Sequence, residues 1–562
     1  MGVLPNASLA ANCLPDRAGD MMNHREIEAP SDGAYLFGEL ILLLITAVTV
    51  IYFALLRAGS PAFDEFYHIL AARSWAVDGT LAIGDGLYER AWLFTKGIGV
   101  LFTIFEESMF IARLVPAIGA VAWLLVMFLW ARLFLGRTIA WTAALLMLFS
   151  AEFLNLSAFV RFYTWHGFFV FLSFFCVTVA LYVSKDRIIR IISIAGAVFS
   201  IAMAFHLQPS SAIFVVGVFF WLILAHLRSV FSAFQYIANR RAVLASIGFF
   251  ITIIAVVLVA GGVPQELWGV YTHTALWNTN DITTYHRFFQ TSYPVLWGLF
   301  PIAAIAAVVY RPPFGLSCVV IFSVAFLLHS FAGMREIRYL SYVFPFFYII
   351  GAISVVLIVK WLYRCICFFD QAFLNNNLSE FRLLGFTWIF ILLLTGPFII
   401  TNSPGMKNAF EIIGGMDEDF RAGTDWSQFS EKIREMAEEV EVVIVTYSMA
   451  GFYYLGDVDY VLSRTIMLET DTREEFGRDN RIGRPVISAA ESLDFITKNY
   501  NSGLVVVDQY RWDNPIFGTD SETIKLIETK MKPVDGLNTS EVMVFTWKHD
   551  RPGTSRAMVR SR

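Results

Sequence analysis

Two adjacent acidic residues follow the first long apolar stretch of the chain. Asp64 and Glu65 lie in the sequence FDEFYH, beside Tyr67 and His68. A carboxylate whose pKa is set by burial and by its neighbours can take a proton from a hydroxyl group, so the acidic pair is a candidate general base. The alternative is a solvated acidic turn at a helix end, and the spacing alone does not decide between the two.

Basic residues beside apolar segments are candidates for binding a phosphate. Arg113 begins the apolar segment ARLVPAIGAV, where an unpaired charge costs roughly 2.5–3.5 kcal/mol at mid-membrane and less near the interface. An anionic lipid phosphate would offset this cost, and the alternative is an ion pair with Glu89, Glu106 or Glu107. The candidate phosphate ligands are Arg90, Arg113, Arg335, Arg338 and Tyr339.

Arg335 and Arg338 carry a more specific expectation. Their spacing predicts that both lie on one helical face, where two guanidinium groups can bind a phosphate from two sides.

Aromatic and polar residues extend the candidate site. The segment 264–292 is rich in aromatic residues, whose faces can stack on sugars, although an aromatic belt at the membrane interface is the commoner explanation. The candidate substrate contacts are Tyr88, Lys96, Arg161, Tyr163, His166, Trp268, Trp277 and Asp281.

Familiar metal and nucleotide motifs are absent or carry little information. The five cysteines lack the C-x₂-C spacing of a structural zinc site. Asp417 and Asp419, like Asp457 and Asp459, match the D-x-D pattern of metal-dependent sugar transferases, which is too short to be specific. The P-loop, α/β-hydrolase and zincin motifs do not occur, which weighs against those chemistries. These motifs do not decide whether a divalent cation serves as a cofactor.

The composition indicates that membrane helices position these residues. Hydrophobic residues make up 57% of the 562 residues and charged residues 16%, whereas a soluble domain carries about 25% charge. A water-soluble fold could not cover that much apolar surface, so we predict a polytopic α-helical membrane protein in contact with membrane lipids. The net charge of −5 and the lack of a long basic run argue against a nucleic-acid partner.

Eleven apolar stretches are long enough to cross about 30 Å of hydrocarbon. They lie at 36–56, 109–131, 139–156, 166–184, 188–206, 211–230, 243–263, 293–310, 315–332, 339–360 and 384–401. The shorter stretch 91–105 contains Lys96 and is interpreted as a juxtamembrane or re-entrant helix. With eleven crossings, one set of loops and helix ends carries twelve Lys and Arg against three acidic residues. The positive-inside rule then places the N-terminus in the cytoplasm and the candidate site on the far side of the membrane.

The predicted domain organisation has four parts. Residues 1–35 and 549–562 are predicted to be disordered tails, the first of them cytoplasmic. Residues 36–401 form the transmembrane domain, with periplasmic loops at 57–108 and 264–292. In residues 402–548 strand-like runs such as VVIVT alternate with helical patterns, which predicts a soluble periplasmic α/β domain.

The order of these motifs resembles that of the GT-C superfamily of glycosyltransferases. The similarity is greatest to the branch with protein O-mannosyltransferases and the lipid A aminoarabinose transferase. Asp64-Glu65, followed by the pattern A-x-x-x-W-x-x-x-G that begins at Ala71, resembles the first external loop of that branch. Further similar segments, covering about residues 36–360, are Tyr88-Glu89-Arg90, ARLVPAIGA, RFYTWHGFF and REIRYLSYVFP. Ala91 stands where the branch has Pro after its basic residue, and His166 where the third segment often has an acid.

The resemblance implies a sugar donor linked to a polyprenyl phosphate, and inverting transfer at the periplasmic face of the inner membrane. It implies that Asp64 is the general base and that Arg90, Arg113 and Arg338 lie on the phosphate side. The expected acceptor is lipopolysaccharide, lipid A or another envelope glycan, and a protein O-glycosyltransferase is the alternative.

Two other classes compete with a transferase. A transporter or flippase for a lipid-linked sugar should place its intramembrane charges near the midplane, whereas here the charges collect on one face. A sensor or scaffold that binds through its C-terminal domain is the third class.

The charge asymmetry predicts the topology of the chain. A reporter that is active only in the periplasm should be active when fused after residue 410 and silent when fused after residue 236. Reversed signals would move the candidate site to the cytoplasmic face and contradict the predicted topology.

Overall fold

The computed structural model describes residues 33–56, 60–226, 281–373, 404, 407, 426–464, 476–479, 481–513, 518–537, 539 and 542–549. Helices α1 to α9 are Gly33–Leu56, Phe63–Asp78, Trp92–Ile104, Met109–Phe134, Arg137–Leu148, Ala151–Ala158, Tyr163–Thr178, Arg187–Leu207 and Ser211–Ala225. Helices α10 to α15 are Thr284–Ser292, Pro294–Gly298, Phe300–Tyr310, Pro312–Ser330, Ile337–Leu340 and Phe344–Phe373. A π-helical turn, Val179–Val183, extends α7, and a 3₁₀ turn, Ser341–Val343, joins α14 to α15.

Six of the described helical segments are long and apolar enough to cross a membrane. They are α1, α4, α7 with its π-helical turn, α8, α13, and α14 together with α15. Helices α5 and α6 form a seventh candidate, bent by 65° at the break between them. The protein is therefore a polytopic α-helical membrane protein.

The predicted crossing at 139–156 is a broken helix rather than a continuous one. Helix α5 ends at Leu148, and the hydroxyl oxygen of Ser150 accepts a hydrogen bond from the backbone N–H of Phe153. A serine in this position caps the first turn of a new helix, so α6 starts in a new direction.

Other predicted crossings have different outcomes. The crossing at 293–310 is also divided, into α11 and α12, with Pro301 in the first turn of the second helix, where its missing N–H costs nothing. The short stretch at 91–105 is helical, as α3. The crossings at 243–263 and 384–401 lie outside the described residues, as do 264–280 and, of the predicted tails, residues 1–32 and 550–562. The end of the first predicted tail, 33–35, is already part of α1. The total of eleven crossings stays a prediction.

The C-terminal part contains a six-stranded mixed sheet. Strands β1, Ala82–Ile83, and β2, Gly86–Leu87, form a separate short hairpin in the first loop. The sheet is formed by β3 to β8, which are Val442–Val445, Tyr460–Leu462, Val486–Ile487, Ser502–Asp508, Lys532–Pro533 and Val542–Lys548. Helices α16 to α20 are Ser430–Glu439, Ser448–Leu455, Ala490–Asn499, Tyr510–Asp513 and Ser521–Lys530. The strand order is β5-β4-β3-β6-β8-β7, with β5, β4, β3 and β6 parallel to their neighbours.

The sheet packs directly on the first loop of the membrane part. Phe66 and Tyr67 of α2 lie in one apolar core with Trp426 and other residues of the C-terminal part. The β1–β2 hairpin contacts the segment that precedes β5, where the N–H of Asp85 donates to the carbonyl oxygen of Ile482 over 2.9 Å. A Cβ on Gly86 would lie 2.2 Å from a backbone oxygen of this segment, so only glycine allows the contact.

Candidate functional site

Glu65 has a structural role at the start of α2. Its carboxylate accepts hydrogen bonds from the backbone N–H of Ala62 and of Val160, both over 2.7 Å, and the residue is 3% exposed. The first bond belongs to a capping box, which satisfies an N–H that the helix cannot satisfy itself. The second attaches the segment between α6 and α7 to the first turn of α2. The two acidic residues thus have different roles: Glu65 stabilises the backbone around the site, and Asp64 faces the site.

Asp64 lies among arginines from three separate parts of the chain. Its carboxylate forms an ion pair with Arg338 of α14, and both side chains are partly exposed, at 24% and 29%. Arg161, between α6 and α7, donates to the backbone oxygen of Asp64 over 3.2 Å. Three positive charges, with Arg90 as the third, therefore act on one carboxylate.

The arginines determine the ionisation of Asp64. Burial alone raises the pKa of this carboxyl group, but the charges of Arg161, Arg338 and Arg90 together lower it below its usual value. Asp64 is therefore ionised at neutral pH, and it is a weak base for as long as the three cations are not neutralised. The cluster holds more positive than negative charge, which is the property of an anion-binding site.

A hydrogen-bonded row of side chains supports Arg161. Arg161 donates to the hydroxyl of Tyr88 over 3.2 Å, and that hydroxyl lies 3.4 Å from Nε2 of His68. Nδ1 of His68 lies 2.8 Å from the hydroxyl of Thr95 in α3. Burial, together with the charges of Arg161 and Arg90, lowers the pKa of His68 well below its usual value, so the imidazole is neutral and only positions Tyr88.

Arg90 is held by residues outside the hydrogen-bonded row that supports Arg161. Its guanidinium donates to the side-chain oxygen of Gln208 over 3.0 Å and lies 5.4 Å from the ring centre of Phe162. The next residue, Ala91, has a left-handed φ of 49°, which costs roughly 1–2 kcal/mol for a residue with a Cβ. Proline is restricted to φ near −65° and could not adopt this conformation, so the departure from the motif at Ala91 has a backbone reason.

The prediction that Arg335 and Arg338 share one helical face is wrong. Helix α14 begins at Ile337, and Arg335 precedes it in a segment without regular structure. The Nε of Arg335 donates to the backbone oxygen of Ser330 over 2.9 Å, at the end of α13. A spacing of three residues puts two side chains on one face only when both residues are helical. Here the helix begins after Arg335.

Several other predicted residues lie close to the Asp64 cluster or support it. The ring centre of Tyr339 is 5.6 Å from Cζ of Arg338, and Tyr163 packs against Tyr339 with ring centres 6.3 Å apart. Arg113 is buried, and its electrostatic partners are Glu65 and Tyr453 rather than Asp64.

The remaining predicted contacts have local partners. The ammonium group of Lys96 lies 4.8 Å from the ring centre of Trp92, and the ring of buried His166 is hydrogen-bonded to Ser211 over 2.9 Å. Asp281 forms an ion pair with Arg287 and accepts hydrogen bonds from Thr283. Trp268 and Trp277 lie outside the described residues.

The C-terminal sheet contributes residues that sequence analysis missed. Arg481 donates to the hydroxyl of Tyr67 over 3.1 Å, and Cζ of Arg511 lies 6.0 Å from the ring centre of Phe63, directly before Asp64. These residues are more than 400 positions from α2 and belong to no recognisable motif, so only the folded structure brings them to the site.

The residues around Asp64 do not fit a divalent cation. Within the described parts of the chain, no three His, Cys, Asp or Glu side chains come close enough to hold a metal ion. Three guanidinium groups around one carboxylate would repel a cation.

Comparison with solved structures identifies the fold. The structure of ArnT from Cupriavidus metallidurans bound to undecaprenyl phosphate is similar with a TM-score of 0.61 and 15% identity, covering 91% of this chain and 98% of that one. The oligosaccharyltransferase AglB from Archaeoglobus fulgidus, in complex with an inhibitory peptide and a dolichol-phosphate, is similar with a TM-score of 0.54 and 13% identity, covering 85% and 70%. Neither protein-family models nor curated protein sequences give a match. The predicted resemblance to the GT-C superfamily is confirmed at the level of the fold.

The contacts of Glu65 predict a structural effect of its loss. Glu65→Ala leaves two backbone N–H groups without their acceptor and should lower the free energy of unfolding by about 2–4 kcal/mol. Glu65→Gln keeps an acceptor oxygen and should be milder. Thermal unfolding of the purified protein measures both, with Glu89→Ala as a control on an exposed neighbour. A Glu65→Ala protein as stable as wild type would contradict the structural role.

Proposed function

We propose that this chain is a glycosyltransferase that moves a sugar from a polyprenyl-phosphate donor to an envelope acceptor, at the periplasmic face of the inner membrane. The observation that carries the proposal is the single carboxylate of Asp64 among three arginines from separate segments. A direct displacement requires both features: a base for the acceptor hydroxyl, and positive charge where the leaving phosphate develops negative charge. The fold shared with ArnT, whose structure contains undecaprenyl phosphate, supports the choice of donor.

The arginines act on the phosphate that leaves during the reaction. When the bond between the anomeric carbon and the phosphate oxygen breaks, both electrons stay with the polyprenyl phosphate. Arg90, Arg161 and Arg338 stabilise this charge, because guanidinium groups bind phosphate oxygens with directional hydrogen bonds. Tyr88 and Gln208 hold Arg161 and Arg90 in place, so little reorganisation is needed during the reaction.

Asp64 takes the proton from the acceptor hydroxyl while the oxygen attacks the anomeric carbon from the face opposite the phosphate, which inverts the configuration. Its low pKa makes it a weak base in the free protein. A bound donor phosphate would neutralise much of the charge on Arg161 and Arg338, and the pKa of Asp64 would then rise toward its usual value. Asp64 thus becomes an effective base only after the donor has bound.

The acceptor class follows from the compartment. Both substrates are membrane-bound or periplasmic, and we assign a lipopolysaccharide, lipid A or another envelope glycan as the acceptor. A protein acceptor is the second candidate, since the similar AglB structure contains a peptide. Mass analysis of lipid A, core and glycoproteins from a deletion strain distinguishes the two.

Substitution of Asp64 tests the base directly. Asp64→Asn keeps the size of the side chain but removes the proton-accepting charge, so transfer from a purified polyprenyl-phosphate sugar should fall roughly 10²–10⁴-fold. Donor binding should persist, because the arginines remain. Glu65→Gln serves as the neighbouring comparison. An Asp64→Asn protein that turns over within a few-fold of wild type would refute the assignment, and an inactive but stable Glu65→Gln would move the base by one residue.

The role of Arg338 is tested by the pH dependence of transfer. This arginine lowers the pKa of Asp64, so the carboxylate is lost only as the pH falls below the usual Asp range. Arg338→Gln should raise that pKa and move the acidic limb of kcat/KM for the acceptor to higher pH, while also raising the donor KM. Arg287→Gln, which removes a charge that does not act on Asp64, should leave the profile unchanged. An unshifted acidic limb in Arg338→Gln would exclude Asp64 as the titrating group.

A further inference from the structure

The strand order of the C-terminal sheet creates a crevice between β3 and β6. Strand β3 lies between β4 and β6 and is parallel to both. The chain runs outward from β3 through β4 to β5 and then returns to place β6 on the other side of β3. The connections that follow β3 and β6 therefore leave in opposite directions. In open α/β sheets, ligands bind in the crevice at the carboxyl ends of two such strands.

Four residues lie at this carboxyl edge. Thr446 and Tyr447 follow β3, Asp508 ends β6, and Arg511 belongs to the short helix α19 that comes next. The hydroxyl of Thr446 accepts a hydrogen bond from the N–H of Asp508 over 2.9 Å, which joins the ends of the two strands. Cζ of Arg511 lies 4.8 Å from the ring centre of Tyr447. The crevice therefore holds a cation and a phenol side by side, and the carboxylate of Asp508 acts on both.

The crevice lies against the first turn of α2, beside the general base. The ring of Phe63 stacks on the ring of Tyr447, with centres 5.8 Å apart, and Arg511 contacts the same ring. Phe63 is the residue immediately before Asp64. The edge of the sheet where a ligand is expected and the carboxylate of the membrane part thus belong to one continuous site.

The two polar groups of the crevice have unused hydrogen-bonding capacity. Among the described residues, neither the guanidinium of Arg511 nor the hydroxyl of Tyr447 has a hydrogen bond; the guanidinium lies over two aromatic rings and interacts electrostatically with the carboxylate of Asp508. Arg481, which also lies near Phe63, is instead neutralised by two-point contact with Asp479. Burial raises the pKa of Tyr447, Arg511 opposes this and Asp508 adds to it, so the phenol keeps its proton and can donate it in a hydrogen bond.

We propose that Arg511 and Tyr447 bind an anionic group, phosphate or carboxylate, that the acceptor carries near its reacting hydroxyl. A guanidinium and a protonated phenol are both donors, so the group between them must supply acceptor oxygens. The donor phosphate is assigned to the separate cluster of Arg90, Arg161 and Arg338, which leaves this crevice for the second substrate. The inference deepens the proposed function and rests on it for the identity of the ligand as the acceptor. Fixing the anionic group here would hold the hydroxyl beside Asp64.

The test measures anion binding while the first cluster is filled. The full chain is purified in detergent with saturating undecaprenyl phosphate and titrated with inorganic phosphate in one arm and with acetate in the other, followed by NMR line broadening. Wild type should bind one anion saturably. Arg511→Gln should weaken this binding at least about tenfold, as expected for one charged hydrogen bond, and Tyr447→Phe should weaken it by a smaller factor. Lys525→Gln, on an exposed helix of the same sheet, should bind as wild type does.

The outcomes separate this inference from the proposed function. Arg511→Lys keeps the charge and should retain part of the binding, and undecaprenyl-phosphate binding of each variant reports whether it is folded. A preference for phosphate or acetate identifies the anionic group. No saturable binding of either anion, or equal binding by wild type and Arg511→Gln, would overturn the inference. Loss of undecaprenyl-phosphate binding by wild type, with Arg511-dependent anion binding kept, would instead reject the proposed donor and leave the crevice as an anion site.

Discussion

The ion pair between Asp64 and Arg338 is the interaction on which the rest of the site depends. The two residues are 274 positions apart, and both side chains are mostly withdrawn from water, so each charge is stabilised by the other. Helices α2 and α14 must therefore meet at this point. The hydrogen bond from the N–H of Val160 to the carboxylate of Glu65 then brings the segment that carries Arg161 to the same place.

The cluster is arranged for binding rather than for stability. Asp64, with Glu336 acting on Arg338 alone, does not neutralise three guanidinium groups, so the folded protein retains repulsion that a substrate anion would relieve. Natural proteins break local rules of charge balance mainly where function requires it. The left-handed Ala91 beside Arg90 is a second departure of this kind, a backbone strain stored next to a charged side chain.

Much of the membrane part could be predicted because length and apolar composition are enough to identify a crossing. The helix predicted at 109–131 is present as Met109–Phe134. The break at Ser150 could not be predicted, since a single capping hydroxyl hardly changes hydropathy. Asp64 and Arg338 were each recognisable from their unusual positions, whereas Arg511 looks like any other surface arginine until the strand order brings it to Phe63.

The contact between the sheet and α2 also has a consequence for biosynthesis. Arg73 of α2 donates to the backbone oxygen of Phe452, 379 positions later, and the apolar side of α2 shares its core with residues of the C-terminal part. At a synthesis rate of about 5–20 residues per second, that partner leaves the ribosome roughly 20 to 75 seconds after α2. During this interval the side of α2 that carries Phe66 has no sheet to cover it. The newly made first loop therefore depends on the bilayer surface or a chaperone until the end of the chain arrives.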